Sequence, residues 1–186
     1  MSEKVVLERD DLRRTLRRIA HEIAEKNPDP EGLAIVGIHT RGAHLANRLH
    51  AALSELTATE LPIGAIDISF YRDDVGAKAP AAQPVVHASQ IDFDLSGRTV
   101  VLVDDVLFTG RTVRAAIEAL FDYGRPERVQ LAVLCDRGHR ELPIRPDYVG
   151  KNLPTAREER VNVRLEESDG SDEVTISEPQ AAEVTA

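Results

Sequence analysis

Val100-Val101-Leu102-Val103-Asp104-Asp105-Val106-Leu107-Phe108-Thr109-Gly110-Arg111-Thr112 decides the reading of this chain. From Thr99 to Val103 the residues are mainly β-branched and apolar, the pattern of a strand covered on both faces. Two carboxylates, Asp104 and Asp105, follow directly. A turn of small residues, Thr109–Thr112, then opens a helical stretch over Arg111–Phe121. Backbone N–H groups and hydroxyls at a helix N-terminus make an anion site, and Gly110 lets the backbone approach a phosphate closely. The paired carboxylates can accept hydrogen bonds from a vicinal diol. Ribose 5-phosphate carries a diol and a phosphate on one small molecule. The plain alternative is a strand end with ordinary helix capping by Asp105 and Thr109. Other phosphate loops fit badly: no Gly-x-Gly-x-x-Gly and no Gly-Lys-Ser/Thr occurs, and Gly150-Lys151-Asn152 lacks the hydroxyl residue and the upstream Gly.

Around this run, strands and helices alternate. Asp10–Glu25 reads as an amphipathic helix, with Leu12, Leu16, Ile19 and Ile23 on one face, Asp10 as N-cap, and Asn27-Pro28-Asp29-Pro30 as the stop. Leu33–His39 reads as a buried strand, Ala43–Leu56 as a helix, and Ile63–Phe70 as an alternating strand. Tyr71–Gln90 reads as a long loop of the kind that serves as a lid. Arg128–Cys135 is a further strand, Asp136–Arg157 is irregular, and Val161–Leu165 is a final strand. The fold class that follows is α/β, with a mostly parallel sheet flanked by helices. Ligands of such sheets bind at the carboxyl ends of strands, here the loops after His39, Val103 and Cys135.

The chain has 186 residues, 42% hydrophobic and only 4% aromatic, so aliphatic side chains must build the core of a single domain. Its one cysteine, Cys135, excludes an intramolecular disulfide and a cysteine-based zinc site, which fits a reducing cytoplasm. No run approaches the roughly 20 apolar residues of a membrane span, and the first residues do not read as a signal peptide. The net charge of −9 is concentrated in Glu166–Ala186, which holds seven acidic residues and no Lys or Arg. Without it the chain carries 25 acidic and 23 basic residues. Asp169–Ala186 is expected to be disordered, being acidic, without aromatics and poor in large apolar residues.

The central run resembles the signature of type I phosphoribosyltransferases. The resemblance implies that Asp104 and Asp105 bind the ribose hydroxyls of phosphoribosyl pyrophosphate, directly or through Mg²⁺. It also implies that Val106, Leu107 and Phe108 lead into a 5-phosphate cradle formed by Thr109, Gly110, Arg111 and Thr112. Gly37-Ile38-His39-Thr40-Arg41-Gly42 looks like that family's pyrophosphate loop, with Thr40 and Arg41 at the leaving group. Arg41 suits a bidentate phosphate contact, although a surface arginine in a strand–helix turn is the plainer alternative. Asp104, Asp105 and Arg41 are the expected catalytic residues. Mg²⁺ is expected to arrive on the pyrophosphate, keeping waters and few protein ligands, so no residue is assigned as a dedicated metal ligand.

Cys135-Asp136-Arg137-Gly138-His139-Arg140-Glu141-Leu142-Pro143-Ile144-Arg145-Pro146-Asp147-Tyr148-Val149-Gly150-Lys151-Asn152-Leu153-Pro154-Thr155 narrows the resemblance. It is similar to the bacterial pyrimidine operon regulators that are also uracil phosphoribosyltransferases, as are Arg18-Ile19-Ala20-His21-Glu22 and Phe70-Tyr71-Arg72-Asp73-Asp74. This implies a phosphoribosyltransferase domain over residues 1–166. A small irregular hood forms from about 136–165 with the N-terminal segment, a flexible loop covers the site, and an acidic tail spans 167–186. Arg137 and Val161 would shape the uracil pocket. The reaction implied is uracil plus phosphoribosyl pyrophosphate to UMP plus diphosphate. The loop Tyr71–Gln90 offers one Lys or Arg after Arg72, Lys78, which is little positive charge for a lid over pyrophosphate.

The same resemblance implies binding of pyr operon leader mRNA in response to uridine nucleotides, through Arg18, His21, Arg140, Arg145 and Lys151. A solvated charged helix face is the alternative for Arg18 and His21. A folded-back acidic tail would repel RNA. The family forms dimers and higher assemblies, so a homo-oligomer is expected. A salvage phosphoribosyltransferase for another nucleobase, with no RNA role, is the competing reading.

Overall fold

The computed structural model describes residues 3–71 and 88–178. Its elements are β1 (Glu3–Glu8), α1 (Arg9–Lys26), β2 (Leu33–Ile38), α2 (Arg41–Thr57), β3 (Ile63–Ile66), β4 (Thr99–Leu107), α3 (Arg111–Leu120), β5 (Arg128–Asp136), β6 (Tyr148–Asn152), β7 (Arg160–Arg164), α4 (Glu166–Asp169) and β8 (Glu173–Ser177). Five strands form one sheet in the order β3-β2-β4-β5-β6. Every neighbouring pair in it is parallel. The α/β reading therefore holds, with β4 at the sheet's centre.

The continuous apolar runs follow from burial on both sides. In β2, Leu33 and Ile35 join the core under α1 and α2, while Ala34, Val36 and Ile38 join the core under α3. β4 splits the same way, Val101 and Val103 to one face, Val100 and Leu102 to the other. Each such Val, Leu or Ile taken fully out of water contributes about 1.5–3 kcal/mol. Cys135, in β5, is buried, and that burial pushes its thiol up to about 12. Between α1, β5 and β6 a polar trio is sealed in: Asn27 Nδ2 donates to Gln130 Oε1 at 3.0 Å and Tyr148 Oη donates to Gln130 Oε1 at 2.8 Å.

Three expectations need correction. First, α1 starts at Arg9 with Glu8 as its N-cap, because Glu8 and Asp11 cap each other reciprocally and Asp10 takes no part. Second, the irregular stretch 136–157 contains β6, which closes the main sheet beside β5. Third, Asp169–Ser177 is ordered. β8 is the central strand of a second, antiparallel sheet, order β1-β8-β7. Its Val174 is fully buried. The acids that suggested disorder are matched by distant arginines: Arg48 on α2 holds Glu167 and Asp172, and Arg164 on β7 holds Glu173. The hood is thus a three-strand sheet drawn from both ends of the described chain. Most of the expected lid, residues 72–87, lies outside the described residues, as do 179–186.

Candidate functional site

A cleft of about 400 Å³ opens at the carboxyl ends of β2, β3 and β4. Its walls are His39, Thr40 and Arg41 after β2, Asp67 and Ser69 after β3, and Asp104, Asp105, Val106 and Thr112 from β4 and α3. The local chain geometry explains how these groups come so close. An ideal Cβ on Gly37 would lie 2.5 Å from the Gly42 carbonyl oxygen, and one on Gly42 would lie 2.5 Å from the Val103 carbonyl oxygen. Only glycine at both places lets the β2–α2 turn fold down onto the end of β4. The peptide joining His39 to Thr40 is cis.

Asp104 is buried and Asp105 half-buried. The Asp105 N–H donates to Asp104 Oδ1 at 2.9 Å, which locks one carboxylate against the strand. Gly110 caps α3 with φ of 91°, a left-handed conformation that favours glycine. The Arg111 N–H donates to Thr109 Oγ1 at 3.3 Å. The Thr109 carbonyl accepts from the Glu141 and Leu142 N–H groups, so the segment after β5 braces this turn. The structure sorts the quoted run by role. Leu107 faces the core, because β4 continues through it. Phe108 lies under the Arg137 guanidinium, 4.1 Å from ring centroid to Cζ. The Arg111 side chain turns away to Glu141, at 2.9 Å.

A second cavity, about 600 Å³, adjoins the cleft and shares Arg41 and Asp105 with it. The hood supplies the rest of its wall: Arg160, Val161, Asn162 and Arg164 of β7, with Glu3, Asp169 and Ser177. Val161, expected to shape the uracil pocket, shares this wall with Asp105. Arg137 is not on this wall. It is buried, and its Nη2 donates to the Ala156 and Arg157 carbonyls at 3.0 and 3.1 Å, bracing the chain that leads into β7. Burial lowers its pKa from the usual guanidinium range.

Several wall residues were not singled out from the sequence. Asp67 follows β3, which stops at Ile66 and not at Phe70 as the alternation suggested, and its Oδ1 accepts from the Ser69 N–H at 2.8 Å and from Ser69 Oγ at 2.6 Å. An Asp two residues before a Ser, at the end of an alternating strand, is the signal that could have marked it. Asn162, Arg164 and Glu3 had no local signal, because their meeting depends on β1, β7 and β8 pairing. The Glu3 carboxylate accepts from Asn162, Thr175 and Arg164. The hydrogen bond from Thr175, with that from Arg164, holds its pKa below the ordinary value.

The five residues expected to meet RNA divide into two kinds. Arg145 and Lys151 are exposed, as is His21 on α1, although Lys151 Nζ also donates to the Val6 carbonyl of β1 at 3.1 Å. Arg18 is committed: it pairs with Glu22 and donates to the Val149 and Gly150 carbonyls of β6, at 3.0 and 2.6 Å. Arg140 is half-buried, bonded to Asp136 and to the Phe108 and Ile144 carbonyls. Arg137, Arg140 and Arg145 line one open depression of about 1000 Å³ beside β6.

The phosphoribosyl transferase domain model matches residues 7–167. The chain is 62% identical over 170 residues to the bifunctional protein PyrR of Roseiflexus sp. (strain RS-1), covering 91% of this chain and 92% of that one. It is 59% identical over 175 residues to the bifunctional protein PyrR of Deinococcus radiodurans, covering 94% of each. Among solved structures it superposes on the hypoxanthine phosphoribosyltransferase of Trypanosoma cruzi in complex with the product IMP. That match has a TM-score of 0.69 at 18% identity, over 95% of this chain and 90% of that one, and shows a shared fold. Read with the cleft at the carboxyl ends of β2–β4, the domain match and these relatives lead to one conclusion: the chain belongs to the phosphoribosyltransferase family, in the group whose curated members are named bifunctional protein PyrR.

Proposed function

We propose that the chain transfers the phosphoribosyl group of phosphoribosyl pyrophosphate to uracil, yielding UMP and diphosphate. With a uridine nucleotide bound, it also regulates pyrimidine biosynthesis genes by binding pyr operon leader mRNA. The observation that carries the reading is the junction of two cavities at Arg41 and Asp105. One cavity offers the diol- and phosphate-binding groups, and the other offers a hood wall for a flat base.

In this reading the N–H groups and hydroxyls of Thr109–Thr112 cradle the 5-phosphate. Asp104 and Asp105 accept the ribose hydroxyls and fix the ring. Arg41 and Thr40 meet the pyrophosphate. The bond from C1′ to pyrophosphate oxygen breaks and a bond from C1′ to the uracil nitrogen forms, with positive charge developing on the ring as in glycosyl transfer generally and the proton of that nitrogen passing to the departing diphosphate or to water. Val161 and Asn162 pack the uracil side.

Mg²⁺ fits this site as a passenger of the pyrophosphate. Asp67, Asp104 and Asp105 present the hard oxygen donors it accepts. Among the described residues no three potential ligands gather at one point. When bound, the ion neutralises leaving-group charge. Among the described residues no helix is long and apolar enough to cross a membrane. The cytoplasm is the compartment this reading assigns, and a dimer or higher homo-oligomer is the working assembly.

The test is a base panel, uracil, cytosine, hypoxanthine and guanine, each with phosphoribosyl pyrophosphate, run beside leader-RNA titrations with and without UMP. Turnover of uracil and UMP-dependent RNA affinity are expected. Preference for a purine, or RNA affinity indifferent to UMP, would overturn the corresponding half.

A further inference from the structure

We infer that Asp169 is a positioning residue for Arg41, so that the helical turn α4 sets the grip on pyrophosphate. The inference rests on the reading of Arg41 as the pyrophosphate ligand and extends it to a residue 128 positions away. Arg41 Nη2 donates to Asp169 Oδ1 at 2.8 Å. Both side chains are partly exposed, so the ion pair by itself adds little stability. Its importance is geometric, because an arginine that must meet an anion gains from being held in place before the anion arrives.

Asp169 is itself held. Its Oδ2 accepts the Leu165 N–H at 2.9 Å and Ser168 Oγ at 2.9 Å, and its own N–H donates to the Leu165 carbonyl at 2.7 Å. The Leu165 N–H, with help from Arg41, holds its carboxyl below the ordinary range, so the charge is present at neutral pH. The turn that carries it is fastened as well. Arg48 donates to Glu167 at 2.9 and 2.6 Å and to Asp172 at 3.0 and 2.7 Å. Arg41 and Arg48 are seven positions apart on α2 and therefore share one face of that helix. Two arginines of one helix face thus clasp the α4 segment at two points, and the first of them is the one that borders the cleft.

The contact leaves Arg41 able to act. Among the described residues Asp169 engages Nη2 alone of the guanidinium nitrogens. A guanidinium carries five N–H donors, so an anion can bind without displacing the aspartate. Asp169 is therefore a holder of Arg41 and not its competitor.

Asp169→Asn isolates the contact. The amide oxygen can still accept the Leu165 N–H, while the amide nitrogen faces Arg41 with a donor where an acceptor stood. The KM for phosphoribosyl pyrophosphate and the inhibition constant of diphosphate should each rise about threefold to tenfold. The KM for uracil should stay within about twofold on the same scale. In an Arg41→Ala background the same substitution should add nothing, and Asp169→Glu, which keeps the charge, should recover most of the loss. An unchanged diphosphate constant in Asp169→Asn, beside a raised one in Arg41→Ala, refutes the positioning role alone. An unchanged constant in Arg41→Ala refutes the assignment of Arg41 and this inference with it. A shift confined to uracil, an equal loss in both backgrounds, or no recovery with Glu would mean that Asp169 acts directly on the base or only on the fold, and would overturn it too.

Discussion

The α-carbon of Gly42 sits so close to the Val103 carbonyl that a methyl group there would lie 2.5 Å from the oxygen and 3.2 Å from the Asp104 α-carbon. The loop bearing Arg41 and the strand bearing the paired acids are therefore in direct backbone contact. Gly42→Ala must push the two apart. Overpacking of this kind costs about 1–3 kcal/mol, and a displacement near 1 Å at a reacting centre lowers rate by about 100-fold. Urea unfolding and steady-state kinetics on the variant should show both losses. Wild-type turnover would place the cleft elsewhere.

Asp104→Asn with Asp105→Asn should remove transfer while leaving the fold in place. Both substitutions keep size and one acceptor, so the strand end survives, but the ribose hydroxyls lose their charged partners. Turnover should fall by about 100-fold or more, with a melting temperature within a few degrees of wild type. Measurable full-rate transfer would end the assignment of these residues.

In the proposed RNA reading, Arg145 and Lys151 give a cleaner test than Arg18. Arg18 already serves Glu22 and two carbonyls of β6, so its removal disturbs the α1–β6 seam as well as any RNA contact. Arg145 and Lys151 are exposed, and among the described residues the one side-chain hydrogen bond lost with them is from Lys151 Nζ to the Val6 carbonyl. Arg145→Ala with Lys151→Ala should weaken leader binding and reduce the slope of log K against log salt by about 2, one per lost phosphate contact. Filter binding across a salt series measures this, and an unchanged slope would take these two residues off the RNA face.

Acid should loosen the hood. Arg48 holds Glu167 below the ordinary carboxylate value of 4.5. A carboxylate with a depressed folded pKa adds stability that is complete above its unfolded value and is lost as pH falls through the folded one. Arg48→Ala should therefore destabilise the fold at neutral pH by on the order of 1–2 kcal/mol, because the largely buried Asp172 carboxylate then keeps only the Glu166 N–H and the more distant Arg9 as partners among the described residues. Well below about pH 4 the difference between variant and wild type should shrink. A difference independent of pH would mean that Arg48 contributes by packing alone.

The sequence was most readable where one residue's neighbours settled its fate. β4 announced itself because Val100 to Val103 are apolar without alternation, and a strand of that kind has both faces covered. The paired acids and the Thr109–Thr112 turn were visible for the same reason, being contiguous. Reading failed where partners are remote. Val174 and Ile176 are two apolar residues among acids, and nothing local reveals that Arg41, Arg48 and Arg164 neutralise that segment from other elements. Glu3 and Asn162 were unreadable as site residues because only the β1-β8-β7 pairing brings them together. Arg137 and Arg140 looked like ligands by type, yet backbone carbonyls claim much of their donor capacity.

The buried thiol of Cys135 has a practical corollary. A thiol whose proton is held up to about 12 is almost wholly unreactive toward alkylating reagents and mild oxidants at neutral pH. It is the chain's one cysteine. A cysteine placed on the surface, as in Arg145→Cys, would then take a fluorescent or spin label alone. The motion of the loop that carries Arg145, or a proposed encounter with RNA or a second subunit, could be followed without first engineering a cysteine-free background.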